Sequence, residues 1–309
     1  MHVFVTGASG WVGRGLVPEL LTAGHTVTGL ARSATAAAAL RAAGAEVRAG
    51  SLDDLDVLRD AAVAADGVVH LAFKHDIAFS GDFAGATAAD RAAIEAFGAA
   101  LAGTGKPFVL ASGILGVLGL PPGTVATEDD GHPGPPVANE RVANAHFTLA
   151  LADRGVRASV VRLPPATHGD GDNGFIPAVI DLARQRGAAA YVGDGANRWP
   201  AVHRDDAARL FRLALESAPP GAVLHAVADE GVPIRAVAER IAARLGVPAR
   251  SVTAEQIGEY VGFLAGFWGV DGPATAKVTR DRLGWTPTGP GLLADLEHGT
   301  YFATGSADG

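Results

Sequence analysis

Three glycines, Gly7, Gly10 and Gly13, stand between an apolar run, His2 to Thr6, and a helix-like stretch beginning at Val12. In a strand–turn–helix unit, the first glycine takes the tight turn. The second lets backbone approach a phosphate, and the third lets the helix lie close to the strand. The unpaired N–H groups and positive end of that helix then face an anion. In a chain with 41 Gly the spacing alone means little; its position between strand and helix makes it a dinucleotide signature. Gly7, Ser9, Gly10, Trp11, Val12 and Gly13 are therefore expected to receive a pyrophosphate.

The end of the second strand chooses between dinucleotides. An acidic residue there would bond the adenosine ribose of NAD, but Thr26 to Ala31 is followed by Arg32 and Ser33. A guanidinium beside a hydroxyl suits a 2′-phosphate, so the expected cofactor is NADP(H). The alternative leaves Arg32 as a solvated loop residue.

Short apolar runs alternate with longer helical patterns through residue 165, which predicts a Rossmann-type doubly wound parallel sheet in an α/β fold. The strands are expected at His2–Thr6, Thr26–Ala31, Glu46–Ala49, Gly67–Ala72, Phe108–Ser112 and Ala158–Leu163. The helices between them are Val12–Ala23, Ala34–Ala43, Leu55–Ala64, Ala84–Ala102 and Val137–Arg154. Residues 1–165 thus read as the cofactor domain. Residues 166–309 read mainly as a smaller C-terminal substrate lobe, with the segment around 189–230 free to return to the first sheet. That lobe should hold strands at Ala189–Val192 and Val223–Ala226, and helices at Asp205–Glu216, Ile234–Leu245, Ala254–Leu264 and Leu292–Tyr301. The tail Thr304–Gly309 is small and polar and should fray.

Charge narrows the partners. A net charge of −8, with only 19% charged residues, argues against nucleic acid and offers nothing to an anionic membrane. Val252–Val270 is apolar enough to invite a membrane reading, but Glu255, Gln256 and Glu259 make it an amphipathic helix instead. There is no Cys, which excludes disulfides and thiolate chemistry, and no close ligand set for a metal among the ten His. The first residues already read as strand, so a cytoplasmic protein with a small-molecule substrate is expected.

The sequence resembles the extended and atypical short-chain dehydrogenase/reductases, including the NAD-dependent epimerase/dehydratases, over nearly its whole length. The resemblance rests on Thr6-Gly-Ala-Ser-Gly-Trp-Val-Gly, Val68-Val-His-Leu-Ala, Leu110-Ala-Ser-Gly, Val161-Arg-Leu-Pro-Pro, Val202-His-Arg-Asp-Asp-Ala-Ala-Arg and Leu283-Gly-Trp-Thr-Pro. It implies that Leu71, Ala72 and Phe73 line the cofactor, that Ser112 faces the nicotinamide, and that Pro164 and Pro165 touch its carboxamide end. Ser51 and Leu52 fall where the family has an Asp-Leu pair beside adenine. A homodimer is compatible with the resemblance.

The catalytic pair departs from it. Family members carry Tyr-x-x-x-Lys, in which the Lys lowers the Tyr pKa and the phenol exchanges a proton with substrate. Here Tyr191, Tyr260 and Tyr301 are followed four residues on by Gly195, Leu264 and Gly305, and the family spacing puts Pro136 and Glu140 at the Tyr and Lys positions. Ser112 is retained; it either polarises a substrate oxygen or caps its strand and bonds the cofactor. Lys74 and His75, beside Asp76 after the fourth strand, are the leading replacements, with a solvated loop as the bland alternative. His168 is a second candidate donor facing the cleft. Arg198, Trp199 and His203 are expected on the substrate side, where Trp199 forms either an aromatic wall or core. Asn144 lies one turn after Glu140, on a face that would meet the cofactor.

These readings converge on an NADPH-dependent reductase of a C=O, C=C or C=N group with a non-standard proton donor. A non-catalytic NADP-binding redox sensor is the rival, and an epimerase or isomerase with bound cofactor stands behind it.

Overall fold

The computed structural model describes residues 1–116, 120–121, 123–131 and 140–302. Pro136, the expected helix start at Val137 and the tail Thr304–Gly309 lie outside the described residues.

The first half alternates strand and helix: β1 His2–Thr6, α1 Gly13–Thr22, β2 Thr26–Ala31, α2 Ala34–Ala42, β3 Glu46–Ala49, α3 Leu55–Ala64 and β4 Gly67–His70. There follow α4 His75–Phe79, α5 Phe83–Leu101, β5 Pro107–Gly113, α6 Glu140–Ala150 and β6 Arg157–Leu163. The second half holds β7 Ala166–His168, α7 Phe175–Arg186, β8 Ala189–Val192, β9 Arg198–His203, α8 Arg204–Ser217, β10 Ala222–His225 and β11 Asp229–Pro233. It continues with α9 Ile234–Leu245, β12 Ala249–Val252, α10 Gly258–Val261, α11 Ala265–Trp268, α12 Lys277–Leu283 and α13 Leu292–His298.

The main sheet is parallel, in the order β10-β6-β5-β4-β1-β2-β3. It has seven strands rather than six, because β10 returns to pair with β6. Its central strands β1, β4, β5 and β6 are mostly buried because both faces are covered, while the edge strand β3 is mostly exposed. Leu16, Val17 and Leu20 of α1 pack with Phe211 and Leu215 of α8 on one face. Leu58, Ile94, Phe97 and Leu101 pack on the other. Residues 204–225 thus complete the seven-stranded sheet although they follow β7, α7, β8 and β9 in the chain.

The second core gathers Ile176 and Ile180 of α7, Trp199 of β9, Ile234 and Ile241 of α9, and Trp268. Two expected helices are shorter than their periodicity suggested. Ala254–Leu264 contains only the single-turn α10 before Gly262, whose φ of +56° belongs to the left-handed region. The longer amphipathic helix over Val252–Val270 is broken at the same place. Leu292–Tyr301 stops at His298 where Gly299 turns extended, and a 3₁₀ turn, Thr300–Phe302, follows. Among the described residues no helix is long and apolar enough to cross a membrane.

Candidate active site

The β1–α1 turn is built around contacts that only glycine permits. A Cβ on Gly7, at φ +67°, would lie 2.7 Å from the Ala72 nitrogen; one on Gly13 would lie 2.2 Å from the Gly7 carbonyl oxygen and 2.5 Å from that of Ala8. The turn therefore seats directly against the backbone after β4, placing Leu71 and Ala72 beside it. Gly10 donates its N–H to the Gly7 carbonyl at 2.9 Å, and the Arg14 N–H donates to the Gly10 carbonyl at 2.9 Å, so turn and helix start form one continuous backbone unit. This cradle fits a dinucleotide pyrophosphate. Trp11 fastens it to β7 and α8: its indole donates to the Thr167 carbonyl at 2.7 Å, and the Arg204 guanidinium stacks 4.7 Å from the ring centroid.

After β2, Arg32 is mostly exposed and pairs with Asp76 at 3.1 Å. The Ser33 hydroxyl accepts from the Ala36 N–H and caps α2. Ser51 gives its N–H and hydroxyl to Asp54, which holds that carboxyl below its ordinary value, and the Leu52 side chain is buried in the core rather than presented to a ligand.

Below β4 lies a buried polar chain that the sequence reading did not foresee. Thr6 Oγ1 sits 2.5 Å from His70 Nδ1 and accepts from the Ala72 N–H at 3.3 Å. On the other side of its ring, His70 Nε2 stands 3.3 Å from the buried Asp90 carboxylate. The Asn144 amide donates to Asp90 at 2.8 Å and to the Thr87 carbonyl at 3.0 Å. Burial pushes the Asp90 carboxyl up, but His70, Asn144 and the nearby Arg141 charge outweigh it and leave the group below its usual range. Asn144 is committed inside this chain, which corrects its expected cofactor contact. The only sequence signal for the chain was His70 within Val68-Val-His-Leu-Ala.

Ser112 is buried at the carboxyl end of β5, in a small cavity it shares with Gly131, Val142, His146 and Arg162. The Arg162 guanidinium donates to the Asp130 carbonyl at 2.8 Å and lies 3.3 Å from His225 Nε2. Pro164 and Pro165 link β6 to β7, and the Pro164 carbonyl accepts from the Thr167 hydroxyl.

Several expected catalytic residues are placed elsewhere. Lys74 does not turn toward Ser112; its ammonium is chelated by both Asp53 oxygens at 2.6 and 2.7 Å, drawn toward β3 while Ser112 lies on β5, beyond β4. His75 keeps an exposed edge, yet the protein packed around it and the Arg141 charge lower its pKa to about 4, so it is neutral at pH 7 rather than titrating there. Its ring packs edge-on against Phe73, which also carries the Arg141 guanidinium 4.2 Å from its centroid. His168 does not face a cleft: it is fully buried, with Nδ1 2.8 Å from the Asp295 carboxylate.

The substrate-side trio also separates. Trp199 is fully buried against Trp268 at 5.0 Å, so it is core and not an aromatic wall. Arg198 forms a two-pronged pair with Asp271 at 3.0 and 2.9 Å. His203, at the other end of the same strand, caps α8 by accepting from the Asp205 N–H. Arg198 and His203 therefore cannot meet one small ligand together. Among the described residues no group of three or more His, Asp or Glu is arranged to hold a metal.

The sequence model of the NAD dependent epimerase/dehydratase family matches residues 3–226. The chain belongs to this family. It is thus an extended short-chain dehydrogenase/reductase, one of a group of NAD(P)-dependent oxidoreductases and epimerases. An uncharacterized protein of Schizosaccharomyces pombe is 46% identical over 98% of this chain and 100% of its own length. A 2-alkyl-3-oxoalkanoate reductase of Stenotrophomonas maltophilia is 30% identical over 80% of this chain and 77% of its own. The crystal structure of the dTDP-glucose 4,6-dehydratase DesIV from Streptomyces venezuelae, with NAD and TYD bound, superposes with a TM-score of 0.77 at 19% identity, covering 98% of this chain and 96% of that one. That last likeness is one of fold. In this chain no Tyr is followed four residues on by a Lys.

Proposed function

We propose that this protein is an NADPH-dependent reductase of a small molecule, acting on a carbonyl or a related C=C or C=N group. The observation that carries the reading is the placement of the glycine cradle and Ser112 along one carboxyl edge of the sheet, on β1 and β5 with β4 between them. When bound, NADPH supplies the hydride. Gly7 to Gly13 hold its pyrophosphate, Ala72 and Phe73 flank the ribose beyond, and Ser112 donates its hydroxyl to the acceptor group. The proton then comes from water in the cleft, which a reaction that leaves no strong alkoxide tolerates best.

Support for reduction comes from the resemblance to a 2-alkyl-3-oxoalkanoate reductase, and support for NADPH from Arg32 at the place where an acid would select NAD. Fluorescence titration with NADPH and NADH tests the cofactor. Absorbance at the nicotinamide band with ketones, enones and imines tests the reaction. Substrate-dependent oxidation of NADPH that falls at least about tenfold in Ser112→Ala would support the assignment. Tight binding with no turnover across the panel would instead make the protein a dinucleotide sensor.

A further inference from the structure

Four charged residues form two crossed ion pairs over the adenosine end of the sheet. Arg32 follows β2, Asp53 follows β3, and Lys74 and Asp76 follow β4; Lys74 pairs with Asp53 and Asp76 with Arg32. The strand order makes this arrangement unusual. Between β4 and β3 lie β1 and β2, three inter-strand spacings or about 14 Å. The segment Lys74–Asp76 therefore reaches across the carboxyl ends of β1 and β2. Those are the ends from which the glycine turn and Arg32 emerge, and over which the adenosine half of a bound dinucleotide must lie.

We propose that Lys74 and Arg32 are paired cationic arms for the 2′-phosphate of NADPH, held apart and in place by Asp53 and Asp76 until the phosphate takes over as their anion. This rests on the NADPH reading above and assigns the selectivity to a residue that reading did not use. Both pairs are suited to exchange. The carboxylates are more than half exposed, at 65% for Asp53 and 58% for Asp76, so solvent screens both even though Lys74 is itself only 19% exposed, and each can yield to a dianion that neutralises both cations at once. Arg32 offers a planar fork and Lys74 a compact, mobile point charge, a combination that can close on a tetrahedral anion from two sides. Among only three lysines in the chain, one is spent here.

The prediction is a division of labour between charge and adenosine contact. Wild-type protein and the variants Lys74→Met, Arg32→Met and Asp76→Asn are titrated with NADPH and NADH at one fixed ionic strength. Arg32 and Asp76 are more than half exposed and Lys74 keeps 19% of its side chain exposed, and circular dichroism verifies folding; Lys74→Gln replaces Lys74→Met if the latter fails to fold. Lys74→Met should weaken NADPH about tenfold, the value of one charge-assisted hydrogen bond, and leave NADH within about twofold. Asp76→Asn should tighten NADPH about two- to threefold by removing the competing anion. Selective loss of NADPH in Arg32→Met but not in the Lys74 variant would overturn the two-armed clasp while leaving the NADPH reading intact. Equal weakening of both dinucleotides by Lys74→Met would also overturn it. Wild-type protein that binds NADH as tightly as NADPH would remove the NADPH reading and the clasp with it.

Discussion

Asn144 donates its side-chain amide to the buried carboxylate of Asp90 at 2.8 Å, joining α6 to α5 beneath the cofactor strand β4. Burial pushes the Asp90 carboxyl up, and His70, Asn144 and Arg141 together bring it below its ordinary value. Asn144→Leu should therefore destabilise the protein by about 2–4 kcal/mol, since a buried carboxylate would lose a donor. Urea unfolding measures this. Loss of NADPH binding with stability unchanged would return Asn144 to the cofactor site.

His225 ties stability to pH. Burial, followed by the Arg162 charge, lowers its pKa to about 4, against about 6.5 in the unfolded chain. Between those values the unfolded state binds the proton and the folded state does not, so its contribution is complete above pH 6.5 and is lost as pH falls toward 4. The loss should be on the order of 2–3 kcal/mol, and His225→Gln should flatten that part of the stability–pH curve. Thermal melts at half-unit steps from pH 4 to 7.5 measure the slope. An unchanged slope in the variant would show that another group carries it.

The sheet was legible where one local rule decided each element. β1, β2 and β3 begin and end where alternation of apolar runs and turns put them, because strand, turn and helix residues there follow one another without ambiguity. The region from Val252 to Val270 misled because its apolar content suits a helix while Gly262 needs a left-handed backbone, and a single such residue outweighs the favourable neighbours. The site was less legible. Lys74 with Asp53, and His168 with Asp295, are separated by 21 and 127 residues, so the partner that fixes each side chain is set by the folded sheet and not by nearby sequence. Asn144 was assigned to the right helix but to the wrong environment: periodicity gives a face, not what that face meets.

Trp199 offers a test of its place in the core. Its indole Nε1 is buried without a hydrogen-bond acceptor, so Trp199→Phe removes volume but no bond. The cost should be about 1–2 kcal/mol, against about 3–5 kcal/mol for Trp199→Ala, with NADPH affinity preserved in Trp199→Phe. Paired urea and titration experiments read both. A large substrate KM change in the Phe variant at full stability would place Trp199 in the substrate site after all.

Gly13→Ala tests the cradle. A Cβ 2.2 Å from the Gly7 carbonyl oxygen forces α1 away from the turn. Destabilisation of about 1–3 kcal/mol is expected, together with loss of measurable binding for both NADPH and NADH. Gly24→Ala, at a position where nothing lies within 4 Å of the added carbon, controls for glycine replacement as such, although its φ of +81° adds local backbone strain. Retained dinucleotide affinity in Gly13→Ala would mean that the turn is not the pyrophosphate site.

The hydrogen bond from Trp11 to the Thr167 carbonyl also gives the protein an internal optical reporter. The chain has four tryptophans, and Trp199, Trp268 and Trp285 are fully buried, which leaves Trp11 as the indole a dissolved quencher can reach. Acrylamide quenching therefore samples the lip of the glycine turn almost alone. Its change on adding a dinucleotide follows the contact between the glycine turn and β7 without any label.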